Sequence, residues 1–279
     1  MSSSVKCIFC GRGGEAGNRM SEEHVLPQWV RNVIPGGKQS DWIGGRASDG
    51  QVDREYTGRM AIAREKVVCE SCNTGWMSDL EDAIKPVLTP LMMDTPQLPP
   101  LSAVEQDLLA RWAFKTASVA DEVYRFKRKS HVAPGLALSF GATNGSTMPD
   151  RTTVLLARSD PTETIRDDRA RTVDAYSDQF EIVRRAEVIG HLFRAVIRVR
   201  SVAFVIFCHD VPGLNYSPLE VRETEPLLPY VRQIYPTLER TLRFPELPSI
   251  ASIGGIGALV GHDRLSRGEL VRRRPHNRP

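Results

Sequence analysis

Four of the five cysteines form two Cys-x-x-Cys pairs, Cys7/Cys10 and Cys69/Cys72. A Cys-x-x-Cys turn presents two sulfur atoms to one metal ion, and two such turns supply the four thiolates of a tetrahedral zinc site. In a chain whose first residues lack the apolar stretch of a secretory signal, such pairs indicate metal ligands before disulfides. The sequence therefore predicts a structural Zn²⁺ site that holds together a folded insertion, residues 11–68.

Two further motifs accompany the cysteine pairs. The string Glu23-His24-Val-Leu-Pro27 lies between the pairs, and Asn73 directly follows Cys72. In this order, the three motifs resemble the HNH endonuclease family over roughly residues 5–86. That family has a ββα-metal fold, in which an acidic-His-x-x-Pro strand lies against a helix opened by a Cys-x-x-Cys-(His/Asn) knuckle.

The resemblance implies catalytic roles for three residues. His24 matches the general base that activates water, Glu23 matches an acidic ligand of a divalent metal ion, and Asn73 matches a second ligand of that ion. These roles suit phosphodiester hydrolysis, because neutral imidazole accepts a proton near pH 7 and a hard cation with oxygen ligands stabilises phosphate charge. Mg²⁺ or another divalent cation is therefore the expected catalytic cofactor. Adjacent strand residues point to opposite faces, so Glu23 and His24 can share a site only if the strand is twisted or bulged, or if Glu23 reaches around an edge.

The chain also departs from the family pattern. Residues 33–72 contain no Asn to brace the site, and Trp76 and Met77 stand where many members carry a further His or Asn. Asp79 or Glu81 could complete the metal shell, although Ser78-Asp-Leu-Glu81 also fits a capping box. His24 could instead be structural, and Asn73 could simply cap a helix. Trp29 and Trp76 are interpreted as core residues, as is the fifth cysteine, Cys208.

The predicted fold class is α+β. Residues 1–88 form the zinc-stapled ββα module, the proline-marked segment 89–101 is a linker, and residues 102–279 form a mixed domain with a long helix, an antiparallel sheet and a basic tail. Ser102 and Glu105 predict a capping box that opens a helix to about Val123. The further predicted elements are strands at Leu136–Phe140, Thr152–Leu156, Phe180–Val183, Ala195–Val199 and Val202–Phe207, a turn at Arg200-Ser201, a helix around Tyr230–Leu242 with Pro236 inside it, and a loosely ordered tail from Gly254.

The charge distribution bears on possible partners. The net charge is +3, and residues 1–86 are slightly acidic, so any attraction for phosphate must come mainly from the rest of the chain. Arg125, Lys127, Arg128 and Lys129 alternate with aromatic residues, a pattern that is typical of nucleic-acid contacts and also of the solvated end of a helix. No apolar run is long enough for a membrane span, which predicts a cytoplasmic protein without a membrane partner.

The sequence thus predicts a metal-dependent endonuclease that cuts nucleic acid, with DNA favoured. The alternative is a non-catalytic zinc-ribbon module that binds nucleic acid or protein. A further possibility is that the C-terminal domain binds a protein or ligand that controls the nuclease.

Overall fold

The structure is a computed structural model that describes residues 5–14, 18–33, 41–48, 51–59, 64–124, 131–160, 164–165, 169–170, 173–214, 216–220, 228–250, 263–264 and 269–273. The fold is α+β, as predicted. The helices are α1 (Gln28–Val33), α2 (Glu70–Cys72), α3 (Ser78–Met92), α4 (Ala103–Tyr124) and α5 (Pro134–Ala142), with a π-helical turn at Asn73–Met77 and 3-10 turns at Pro218–Glu220 and Phe244–Glu246. The strands are β1 (Met20–His24), β2 (Asp41–Ser48), β3 (Gln51–Arg59), β4 (Arg64–Cys69), β5 (Leu101–Ser102), β6 (Thr152–Ser159), β7 (Thr164–Ile165), β8 (Arg169–Ala170), β9 (Val173–Arg184), β10 (Glu187–Val199), β11 (Val202–His209), β12 (Val231–Tyr235), β13 (Thr241–Leu242), β14 (Ser249–Ile250), β15 (Asp263–Arg264) and β16 (Glu269–Arg273).

The N-terminal part contains two antiparallel strands followed by helix. β1 pairs with β4, and the ladder register shifts between Ser21 and Glu23, which is a β-bulge. The chain then passes from β4 into α2, the π-helical turn and α3, with non-helical backbone at Gly75 inside the turn. The two strands therefore lead directly into the helix that begins at the second cysteine pair.

The other part of the molecule is built around a large, mainly antiparallel sheet. Its strand order is β12-β6-β11-β10-β9-β16-β15, and β14 pairs with β6. β10 and β11 form the predicted hairpin around Arg200, whose positive φ of 53° suits a tight turn. β2, from within the predicted insertion, pairs with β9 in parallel and with β3. The insertion between the cysteine pairs thus extends the sheet of the C-terminal half.

Helix α4 connects the two parts. It begins as predicted, because the Ser102 N–H donates to Glu105 Oε2 (2.7 Å) and the Glu105 N–H donates to Ser102 Oγ (3.3 Å). α4 packs on the sheet and also contacts α3 and β4. One hydrophobic core runs from Phe9 in the first cysteine knuckle through Phe114 of α4 to Phe204 of the sheet. The predicted module and the predicted second domain therefore share buried surface.

Two predicted elements differ from the structure. Leu136–Phe140 belongs to α5, because Pro134 suits a first helical turn and a short apolar run does not distinguish strand from helix. The predicted helix at Tyr230–Leu242 is wrong, because Val231 and Ile234 are buried in β12, which pairs with β6, and a cis Tyr235–Pro236 bond follows.

The boundary of the predicted linker also differs. Residues 89–92 continue α3, with Pro86 and Pro90 inside the helix. Each proline removes a backbone hydrogen bond, but the same helix buries Ile84, Leu88 and Leu91, each worth about 1.5–3 kcal/mol. Of the tail predicted to begin at Gly254, only β15 and β16 lie among the described residues. Among those described residues, no helix combines the length and hydrophobicity that a membrane crossing requires.

Candidate functional site

The four paired cysteines converge at one point. The sulfur atoms of Cys7, Cys10, Cys69 and Cys72 all lie within 4.8 Å of one another, and the Cys10 and Cys69 sulfurs are 3.6 Å apart. Tetrahedral zinc with Zn–S bonds of about 2.3 Å requires sulfurs separated by about 3.8 Å. The cluster therefore has the dimensions of a four-thiolate metal site, and the group could hold a metal ion, as predicted. Cys208 is fully buried in β11, and this burial raises the pKa of its thiol.

The first knuckle is a tight turn with donors around the sulfurs. The Gly11 N–H donates to the Cys7 carbonyl (2.9 Å). Gly11 has a φ of +69°, a backbone conformation that residues with a side chain rarely adopt. The Arg12 guanidinium lies 3.5 Å from the Cys10 sulfur. A hydrogen bond from the Cys72 thiol lowers the pKa of Cys7 to about 4 and, in turn, raises the pKa of Cys72. The Cys7 thiolate is thus favoured, whereas burial raises the pKa of Cys69, and a metal ion would bind all four groups as thiolates.

The second knuckle delivers Asn73 to strand β1. The Asn73 side-chain N–H donates to Ser21 Oγ (2.8 Å), and a further hydrogen bond from Asn73 favours the charged form of Glu23. Glu23 is 7% exposed, whereas its neighbour His24 is half-buried. The ladder register shifts here, with the additional residue on β4 and not on β1. Asn73 therefore lies against Ser21 of β1, two residues before Glu23.

A lysine that the sequence did not predict completes this group. Lys115, in the middle of α4, is 0% exposed, and its ammonium nitrogen lies 2.6 Å from Glu81 Oε1 and 3.6 Å from Glu23 Oε1. Glu81, predicted as a possible metal ligand or capping residue, is thus an ion-pair partner of Lys115. The one sequence signal was a cation inside the apolar stretch Trp112-Ala-Phe-Lys-Thr-Ala, which alone does not name the partner. Asp79 does not join this group of contacts; it lines a cavity with Trp76 and Arg111.

Burial and charge oppose each other in this cluster. Burial raises the pKa of Glu23, and Lys115 opposes that shift. Burial alone would lower the pKa of Lys115, but the carboxylates of Glu81 and Glu23 outweigh it and raise the pKa. The ammonium is therefore held charged inside the protein by the two carboxylates.

The divalent ion implied for Glu23 and Asn73 does not fit this arrangement. The Glu23 carboxylate already faces the Lys115 ammonium at 3.6 Å, and the Asn73 side-chain N–H donates to Ser21 Oγ. A divalent ion about 4 Å from the ammonium would meet a repulsion of about 8 kcal/mol at an effective dielectric constant of about 20. In contrast, the four thiolates fit a zinc-like ion without displacing any group.

The remaining predicted residues either pack against the core or lie outside the described residues. Trp29 and Trp76 pack against the core, as expected, and the Trp76 ring lies 5.2 Å from Phe9 and 5.5 Å from Phe140. The cluster of basic residues predicted to contact nucleic acid lies outside the described residues: Arg125, Lys127, Arg128 and Lys129.

Comparison with family models, with curated proteins and with solved structures finds no match to this chain. The resemblance to HNH endonucleases therefore rests on the cysteine pairs, the Glu-His-x-x-Pro string and Asn73, in their order along two strands and a helix.

Proposed function

We propose that this protein is an HNH-type endonuclease that hydrolyses phosphodiester bonds, with DNA as the favoured substrate. One observation carries the proposal: β1, β4 and the helix start meet at the four-cysteine cluster, and Asn73, next to Cys72, donates a hydrogen bond to Ser21 of β1, two residues before Glu23. His24 follows Glu23 at the end of β1 and is half-buried, so a substrate has access to part of its ring. This arrangement supports the role implied for His24, whereas the metal-ligand roles implied for Glu23 and Asn73 stay predictions.

The proposed metal of the cysteine cluster is a structural Zn²⁺. Four thiolates fill a tetrahedral shell and leave no open position for water or substrate, which is the mark of a structural and not a catalytic zinc site. The ion would join the loop at Cys7 to the helix start at Cys72. Zinc content measured by mass spectrometry of metals, with Cys72→Ser as the comparison, tests this part, and a full chain without stoichiometric zinc contradicts it.

In the proposed reaction, His24 accepts a proton from water while the water oxygen forms a bond to phosphorus. The bond from phosphorus to the leaving sugar oxygen breaks, and that oxygen takes a proton from solvent. Glu23, held by Asn73 and Lys115, fixes the end of β1 and therefore the position of His24. The resemblance also implies Mg²⁺ or another divalent ion at Glu23 and Asn73, which stays a prediction. Because that ion does not fit the present arrangement, no step is assigned to it.

The test is cleavage of supercoiled plasmid DNA by the zinc-loaded full chain, in parallel with Mg²⁺, with Mn²⁺ and without added divalent ion. We expect His24→Ala to slow cutting by at least about 100-fold, the range for loss of a general base. His191→Ala is the matched control, because His191 is a half-buried histidine in β10, far along the chain from Glu23, and it should cut as the wild type does. Equal cutting by the wild type and His24→Ala would refute the mechanism.

The second candidate is a non-catalytic zinc module that binds nucleic acid or protein. The buried Glu23 carboxylate, whose charge is offset by Lys115, favours this alternative. A carboxylate that is paired inside the protein contributes little to the chemistry of a substrate. Fluorescence anisotropy with labelled single-stranded and duplex DNA and RNA, alongside the cleavage assay, separates the two functions. Binding without cutting in all three metal conditions would select the binding module.

A further inference from the structure

The cluster of Glu23, Glu81 and Lys115 is built from three separate elements. Glu23 lies in β1, Glu81 in α3 and Lys115 in α4, and the ammonium of Lys115 lies within 4 Å of both carboxylates. Two carboxylates that converge on one point, with an amide beside them, are the usual surroundings of a hard divalent cation. Here that point is taken by a positive charge of the protein itself.

We infer that Lys115 is a built-in cation that occupies the position of a divalent metal ion in the Glu23–Glu81 site. A lysine side chain normally carries its charge to the surface along a flexible apolar stem, but Lys115 is 0% exposed. The surrounding packing therefore fixes the position of the ammonium. Trp112 and Phe114 of the same helix are also fully buried. The ammonium offsets the charge of one of the two carboxylates.

The charges around Lys115 support this assignment. Glu81 makes the closer contact and is partly exposed, whereas Glu23 is the more buried partner. Without the ammonium, two carboxylates would face each other across a buried gap, and one would have to take up a proton or bind a cation. The structure thus contains a latent divalent-cation site that Lys115 keeps closed.

This inference does not rest on nuclease activity, and its test uses no nucleic acid. The zinc-loaded full chain is titrated with Mn²⁺, whose electron paramagnetic resonance signal reports free and bound ion. Mn²⁺ prefers oxygen ligands and binds sites more weakly than zinc, so the cysteine cluster stays occupied by zinc. Lys115→Met removes the charge and keeps an unbranched side chain only one atom shorter, and Lys115→Arg is the matched variant that keeps the charge.

We expect Lys115→Met to gain one Mn²⁺ site with a Kd at least about tenfold below that of any wild-type binding. Glu23→Gln in the Lys115→Met background should remove this site, and Lys115→Arg should not show it. Folding is checked by circular dichroism and zinc content. If Lys115→Met folds only when Mn²⁺ is present during refolding, and not with NaCl at equal ionic strength, the inference is also supported.

Three results overturn the inference. The first is a single Mn²⁺ site in the wild type that Glu23→Gln abolishes, because Glu23 would then be a metal ligand despite Lys115. The second is a folded Lys115→Met variant without a gained site. The third is an unfolded Lys115→Met variant that Mn²⁺ does not rescue. Because none of these results involves DNA, failure here is distinct from failure of the proposed nuclease function.

Discussion

Gly141 offers a sharp test of how the first cysteine knuckle sits on the rest of the molecule. A Cβ atom at Gly141 would lie 1.9 Å from the carbonyl oxygen of Phe9 and 2.7 Å from the Phe9 Cβ. Real Cβ atoms essentially never come closer than 3.0 Å to a neighbour, so Gly141→Ala must push the knuckle away by about 1 Å. Phe9 stands between two of the paired cysteines, so the displacement falls on the metal site itself.

The matched control is Gly135→Ala in the same helix, α5. A Cβ at Gly135 meets no described atom within 4 Å, so this variant reports helix propensity alone, a gain of at most about 0.5–1 kcal/mol. Gly141→Ala has the same propensity gain but adds the overpacking cost, typically about 1–3 kcal/mol. The two variants should therefore differ by about 1–3 kcal/mol, or by about 2–10 °C in Tm for a domain of this size.

The assay is thermal unfolding of the zinc-loaded variants at one protein concentration, followed by the rate at which a coloured chelator extracts the metal. We expect Gly141→Ala to have the lower Tm and the faster release, with Gly135→Ala close to the wild type in both. Identical Tm values and identical release rates for the two alanine variants would show that Phe9 and α5 are not in contact, and the shared core would have to be abandoned.

Three further predictions concern two buried polar groups and one partly exposed ion pair. Burial lowers the pKa of His209 to about 4, so between pH 6.5 and 4 the unfolded chain binds the proton more readily than the folded chain. The free energy of unfolding of the wild type should therefore fall by up to about 3 kcal/mol over this range. Urea titrations at pH 7 and pH 4.5 should show a smaller fall for His209→Leu, and equal falls for the two proteins would contradict this. Asp121 accepts hydrogen bonds from Ser177 and from two backbone N–H groups. Asp121→Ala should therefore lower the free energy of unfolding in urea by at least about 2 kcal/mol more than Ser177→Ala does. Equal losses for the two variants would contradict this prediction. Arg158 makes two hydrogen bonds of 2.8 and 2.7 Å to Asp94, so a double-mutant cycle with Arg158→Lys and Asp94→Asn should give a coupling of about 1 kcal/mol, and additive effects would rule it out.

The sequence predicted those features that depend on local geometry. A Cys-x-x-Cys turn fixes two sulfurs within one knuckle, and the identical spacing of the two pairs made their convergence predictable. The Ser102–Glu105 capping box and the β10–β11 hairpin at Arg200 are likewise set by residues close together in the chain. The prediction failed where pairing with a distant strand decides the secondary structure. At Tyr230–Leu242, pairing with the edge of β6 makes Val231–Tyr235 a strand and not a helix.

The site itself was only half predictable. The motifs predicted that Glu23 and Asn73 lie near each other, and Asn73 contacts Ser21, two residues before Glu23 on β1. Lys115 could not be identified, because a lysine within an apolar helix usually reaches solvent, and its burial is decided by Glu23 and Glu81 from elements far away in sequence. The parallel pairing of β2 with β9 was invisible for the same reason.

The position of Lys115 also bears on whether the two predicted domains can move apart. If α4 swung away from β1 and α3, the ammonium would leave its carboxylate partners, and all three charged groups would have to be hydrated again. The same motion would separate Phe114 and Phe140, whose rings are 5.0 Å apart, from Phe9 in the knuckle. A hinge at the proline-marked segment therefore has to disrupt both charge pairing and core packing. Control of the proposed site by the C-terminal half, if it occurs, is more readily transmitted through the Lys115 contacts than through separation of the two parts.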